Sequence, residues 1–227
     1  MAWRRNSPAV DPSVVASLAV DVVSDVVCPW CYVGKRKLER ALDELKAREP
    51  SLDVVVRWHP FELNPEMPPE GIARRAYTEA KFGADRAREV YARVRAVGES
   101  VGIGFEFDRI ARQPNTRDAH RLIAWAQQSG DAAPLVEALF RGFFVDGRSL
   151  SEPSELAAIA QSAGFDREGA RALLASDAFR TEVESEYREA QAAGIGAVPF
   201  FIFNGRVAVS GAHDPAALLE AIAAARA

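Results

Sequence analysis

Residues 18–49, LAVDVVSDVVCPWCYVGKRKLERALDELKARE, decide how this chain folds. The opening LAVDVVS is rich in valine and reads as a β-strand. Beyond Cys31, Leu38, Leu42 and Leu45 share one apolar stripe, the mark of an amphipathic helix that ends before Pro50. Counting back at about 100° per residue puts Cys31 on the same stripe. Cys28 falls at the helix start and Pro29 at the first helical position, where its missing N–H costs nothing. The spacing therefore predicts one thiol at the positive end of a helix, exposed and readily ionised, and a second thiol turned inward.

These are the only two cysteines among 227 residues. Two thiols so placed form half of a metal site or a dithiol that cycles with a disulfide. A tetrahedral zinc site needs two further ligands. The three histidines, His59, His120 and His213, are not paired at ligand spacing, so no metal is expected. Strand, cysteine and proline at the first helical position favour disulfide exchange. The exposed Cys28 would attack and the buried Cys31 would resolve the mixed disulfide.

Composition narrows the function. The hydrophobic fraction of 48% is that of a globule with a sizeable core, and a net charge of −4 offers no basic field to nucleic acid or anionic lipid. No run of about 18 apolar residues suggests a membrane span. Near the N-terminus Arg4 and Arg5 are followed by Asp11, Pro12 and Ser13, a poor secretory signal. A cytoplasmic address is expected, where two cysteines are not a structural staple.

A second strand, DVVVRW at 53–58, is followed by HPFELNPEMPPEG, whose prolines predict irregular chain. Strand, helix and strand make a βαβ unit with a parallel pair. From about 70 to 190 the periodicity is helical: 72–83, 85–102, 114–130 with Asn115 or Thr116 as cap, 133–147, 151–164 with a serine cap, 166–176 and 177–194. VPFFIF, Asn204-Gly205 and RVAVSG then predict a hairpin with a two-residue type I′ turn. Asp214-Pro215 starts a last helix with Asp as cap. The fold class is α/β, a β-α-β…β-β-α frame with a helical insertion.

The strand leading into VVCPWC, the AVPFFIF segment before a hairpin and the closing helix resemble the thioredoxin fold. The helical insertion resembles the DsbA branch. SDVVCPWCYVGKRKLE, FELNP, PNTRDAHRL and GIGAVPFFIFNGRVAVSGAHDP are similar to FrnE-type DsbA-family oxidoreductases over roughly residues 18–225. The resemblance implies a tail at 1–16, a thioredoxin-like domain in two parts (17–64 and 188–227) and an insertion at 65–187. It implies disulfide exchange by Cys28 and Cys31 with a protein or small thiol substrate, glutathione among the candidates, and no cofactor. It makes Pro199 a cis-proline beside the dithiol and the backbone of Val198 a place where an extended substrate can pair. Pro29 and Trp30 join the substrate contacts, Trp30 facing solvent. Monomer and homodimer both fit.

Other residues receive modest roles. His59 is expected as a loop histidine after the strand, more a bystander than a border of the site. Asn115 and His120 are expected to cap and pack. Lys35, Arg36 and Lys37 are expected on a solvated helix face, their positive potential favouring a Cys28 thiolate. One departure from the family stands out: the buried acid six residues before the first cysteine is Val22 here. Alternation puts Asp21 and Asp25 on the face opposite Val22, which leaves water to take the Cys31 proton. A rival reading is a glutathione-dependent isomerase or kappa-type transferase of the same architecture. Those enzymes typically carry serine where this chain has Cys28 and a Ser-Asp pair where it reads Gly211-Ala212-His213-Asp214. A second rival is a peptide-binding holdase without chemistry, against which the intact C-x-x-C argues.

Overall fold

The computed structural model describes residues 17–227, with Ala84 and Asp85 described by their backbone alone. The tail expected at 1–16 lies outside the described residues. A four-stranded sheet carries the site, in the order β2-β1-β5-β6. Strand β1 (Ser17–Ser24) runs parallel to β2 (Asp53–Pro60) and antiparallel to β5 (Phe200–Phe203), which pairs with β6 (Val207–Ser210). The parallel pair is joined by helix α1 (Pro29–Arg48). Helix α9 (Pro215–Arg226) closes the chain against α1 and β6.

Between β2 and β5 the regular structure is almost all helix. It runs through α2 (Arg74–Phe82), α3 (Ala84–Ser100), α4 (Arg117–Ser129), α5 (Ala133–Phe144), α6 (Pro153–Ser162), α7 (Arg167–Leu174) and α8 (Arg180–Ala192). The helical periodicity of this region is realised, with two exceptions at its edges. Ile72–Ala73 and Arg112–Gln113 form a two-residue antiparallel pair, β3 and β4, so the first helix begins at Arg74 and not at 72. The expected serine cap before Pro153 is Glu152, and its side chain makes no capping hydrogen bond.

The frame differs from expectation in three further details. Strand β2 continues through His59 to Pro60, because β2 lies at the sheet edge, where a proline without an N–H is tolerated. In the hairpin, Asn204 and Gly205 both have positive φ, 50° and 64°, as a type I′ turn requires. The first ladder pair is Phe203 with Val207, so Arg206 adds a third loop residue. Asp214 stands at the α9 N-cap, but its carboxylate accepts from Lys37 Nζ at 2.7 Å instead of capping the helix.

One core runs from the sheet into the helices. Leu18, Val20 and Val22 of β1 meet Cys31, Val33, Leu38 and Ala41 of α1. Tyr32 carries this core into the insertion by stacking on Phe140, with ring centres 5.0 Å apart and planes 5° from parallel. Val23 points to the opposite face, into a smaller cluster with Phe61, Tyr187, Ala190 and Ile195. Helices α4 and α8 cover β2 on that side. Among the described residues no helix is long and apolar enough to cross a membrane.

Candidate active site

The dithiol sits where β1 hands over to α1. Cys28 is the N-cap residue and Pro29 occupies the first turn, as the spacing predicts. The turn is closed by the Cys28 amide donating to the Asp25 carbonyl at 3.0 Å. Both cysteines are free thiols. Cys31 is 2% exposed on the inner face of α1. Cys28 is not the exposed group the sequence suggests: it is 5% exposed. The Val198–Pro199 segment lies against it, and Cys28 Sγ donates to the Val198 carbonyl at 3.6 Å. The Val198–Pro199 peptide is cis, and Gly211 donates its amide to the Pro199 carbonyl at 2.8 Å, tying this segment to the end of β6. Trp30, at 38% exposure, is the open residue between the thiols.

Burial pushes the Cys31 thiol well above its usual range, and the neighbouring Cys28 sulfur pushes it further. The neighbouring Ser24 side chain and Asp25 backbone pull the other way, without reversing the shift. Cys31 therefore keeps its proton in the reduced pair and can donate it toward Cys28.

Alternation along β1 does not reach Asp25, because the strand ends at Ser24. Asp25 turns into the interior and is fully buried. Its Oδ2 accepts from the Leu63 amide at 2.8 Å, and its Oδ1 lies 3.6 Å from His120 Nε2. This brings FELNP and PNTRDAHRL together directly behind the dithiol. The Phe61 carbonyl accepts from His120 Nε2 at 3.0 Å. Buried Glu62 faces Arg117 with two contacts of 3.2 Å. The α4 N-cap is Thr116, without a side-chain capping bond, and Asn115 just before it donates to the Met67 carbonyl at 2.7 Å and accepts the Arg117 amide at 2.9 Å. Gln127 of α4 covers the open edge of β2 by bonding both the amide and the carbonyl of Trp58.

Two other expectations change. His59 is not in a loop. It lies within β2, 7% exposed, between Asp21 Oδ1 (2.9 Å from Nε2) and Glu186 Oε2 (3.0 Å from Nδ1). The run Lys35-Arg36-Lys37 is not a solvated face. Lys35 is 3% exposed and pairs with Glu39 and, at 2.7 Å, with Glu137 of α5. Arg36 pairs with the same two carboxylates, and Lys37 with Asp214. The three cations bind α1 to its neighbours, so little of their charge is left for Cys28. Among the described residues no group of three or more His, Cys, Asp or Glu is placed to hold a metal ion.

Residues 19–223 match the DSBA-like thioredoxin domain family. The chain belongs to this family. A probable DsbA oxidoreductase of Streptomyces coelicolor is 33% identical, with a TM-score of 0.81 over 92% of this chain and 89% of that one. YwbO of Bacillus subtilis is 26% identical over 192 residues, 83% of this chain and 88% of its own. The cytosolic disulfide reductase DsbM of Pseudomonas aeruginosa, solved with GSH, has a TM-score of 0.60 over 92% of this chain and 95% of that one. Its 19% identity speaks for the fold alone. The family contains oxidoreductases and isomerases built on this scaffold.

Sequence reasoning gives Ser24 no role and sets Asp25 aside, although both stand just before the cysteines. It ends the strand at Ser24, as the structure does, but carries the alternation one residue too far. It also passed over Gly34, the one glycine inside the first turns of α1.

Proposed function

We propose that this DsbA-family chain is a thiol–disulfide oxidoreductase in which Cys28 attacks a substrate disulfide and Cys31 resolves the mixed disulfide. The observation that carries this reading is the unequal pair itself. Cys28 caps the positive end of a 20-residue helix beside the Val198 carbonyl, while burial raises the Cys31 thiol. Burial keeps the proton on Cys31, so the order of attack is set by position. Substrate approaches past Trp30 and lies along the Val198 backbone, exchanging the thiol contact at Val198 for its own hydrogen bonds. The substrate is a protein or small-molecule disulfide, with glutathione disulfide a suitable probe, and no cofactor takes part. A cytoplasmic setting fits a dithiol that must be re-reduced after each turnover.

The test is to trap the intermediate. Cys31→Ser with glutathione disulfide should accumulate a one-glutathione adduct on Cys28, seen by mass and reversed by dithiothreitol. Cys28→Ser should form far less. An adduct that builds faster in Cys28→Ser would reverse the two roles. No adduct in either variant, together with isomerase activity on a chromene carboxylate, would favour the glutathione-dependent isomerase reading.

A further inference from the structure

Resolution poses a problem in proton transfer. Cys31 must attack as a thiolate, yet it lies inside the core with its proton held. A neighbour of Cys31 that can move a proton is Ser24, whose hydroxyl is both donor and acceptor and can rotate between the two roles. Ser24 also lines a small cavity between β2, α4 and α8, of about 20 Å³. That is room for one water molecule. Its other walls include Trp58, His59, His120, Gln127 and Glu186. Trp58 Nε1 is buried and has no hydrogen-bond partner among the described residues. Trp58 borders both this cavity and a groove against α1; the other polar partners for a water here are Ser24, His120 and Gln127, among apolar walls that include Val26, Ile123 and Val136.

His120 is equipped to end such a path. Its Nε2 faces the Phe61 carbonyl at 3.0 Å, an acceptor only, so Nε2 carries a hydrogen and the neutral ring keeps its lone pair on Nδ1. Asp25 Oδ1, 3.6 Å from Nε2, lies behind the ring on the side where positive charge would need support. A base with a carboxylate behind it is the arrangement by which an imidazole takes up a proton without moving.

We propose that Ser24, a water held in the adjoining cavity and His120 form the path along which the Cys31 proton leaves during resolution, with Asp25 positioning His120 and countering the imidazolium. The proposal rests on the disulfide-exchange reading given above. In this step a bond forms between Cys31 Sγ and Cys28 Sγ. The bond from Cys28 Sγ to the substrate sulfur breaks, and the substrate sulfur leaves with the electron pair as a thiolate. The two cysteines are oxidised and the substrate disulfide is reduced, so no other co-reactant is needed. Ser24 accepts the thiol proton and passes its own to the water, which passes one to His120. Other titratable and charged groups around the path are His59 from β2, Glu62 from the segment after it, Glu182, Glu186 and Tyr187 from α8, and Arg117 on α4 itself. Helix α5 contributes Val136 to the cavity wall.

The step can be isolated by mixing the reduced protein rapidly with glutathione disulfide, quenching in acid and following the Cys28 adduct by mass. In the wild type the adduct should rise and then decay as Cys31 resolves it. Ser24→Ala and His120→Gln should form the adduct as fast as the wild type does, which also reports an intact fold. They should decay it about 10²-fold more slowly at pH 7, the range of a lost general base. Ser24→Thr keeps the hydroxyl and should restore decay to within about 3-fold of the wild type. In His120→Gln decay should recover as the pH is raised toward the range where the thiol ionises, because solvent hydroxide then removes the Cys31 proton directly, a rescue that a purely structural role would not show. Decay at the wild-type rate in both Ser24→Ala and His120→Gln overturns the relay and leaves the oxidoreductase reading intact. If no adduct forms even in Cys31→Ser, the oxidoreductase reading falls and the relay falls with it.

Discussion

A glycine in a helix interior costs about 1 kcal/mol relative to alanine, so Gly34 in α1 has to be accounted for by packing. A Cβ there would stand 2.8 Å from Pro199 Cγ and 3.1 Å from Phe201 Cζ. The helix that carries the dithiol thus lies against the segment that covers Cys28, and only a missing side chain allows the approach. Gly34→Ala should therefore invert the usual helix effect. The loss should be about 1–3 kcal/mol from overpacking, and reduction of insulin should slow because Pro199 and the Val198 carbonyl are pushed off Cys28. A higher melting temperature with unchanged turnover would show that the contact is slack. At this scale the sequence makes the positions of Cys28, Pro29 and Cys31 legible, since helix caps and stripes are local. The burial of Cys28 is illegible because its cover comes from Val198, 170 residues along the chain.

At the scale of elements, the polar contacts from α1 to α5 converge on one carboxylate. Glu137 of α5 receives Lys35 Nζ at 2.7 Å and the Tyr32 hydroxyl at 2.7 Å, and it pairs with Arg36 as well. Burial works against its charge, but the Lys35 hydrogen bond and the neighbouring cations outweigh it and hold the Glu137 carboxyl below its usual range. Glu137→Gln leaves buried Lys35 with Glu39 alone. It should cost about 2–4 kcal/mol, the range for breaking a buried pair from one side. Adding Lys35→Met should recover part of that, because the stranded charge is then gone. A depressed carboxyl contributes stability that is present above its unfolded value and is lost as pH falls through the folded one. The acid limb of the wild-type stability curve should accordingly be flatter in Glu137→Gln, measured by urea unfolding between about pH 3 and 7. Equal stability at pH 7 would sink the assignment. The βαβ unit, the helices and the hairpin were legible because each declares its own period. The docking of FELNP on PNTRDAHRL and the pairing of β3 with β4 were not. Both are contacts between short irregular stretches, which have no period to read.

For the molecule as a whole, His59 joins three parts that are far apart in sequence. It sits on β2, holds Asp21 of β1 through Nε2 and holds Glu186 of α8 through Nδ1. Helix α8 is the last of the insertion, so this contact clamps the insertion to the sheet. Burial opposes a charge on His59, but hydrogen bonds to Asp21 and then to Glu186 outweigh it, and its pKa is raised above 6.5. Both ring nitrogens face carboxylate oxygens, so only the imidazolium can donate to both. A raised folded pKa means a contribution fully present below the unfolded value and lost as pH rises through the folded one. The window therefore opens near pH 6.5 and extends upward. His59→Gln should be less stable than the wild type at pH 6 and should close the gap as pH rises toward 9. It is the difference between the two proteins that isolates this residue, because the cysteines and every other titrating group are common to both. Urea midpoints at half-unit pH intervals would measure it. A gap that is constant with pH would mean that His59 is held neutral and contributes by packing alone. A gap that widens toward pH 9 would reverse the sign of the linkage and with it the role of the two carboxylates.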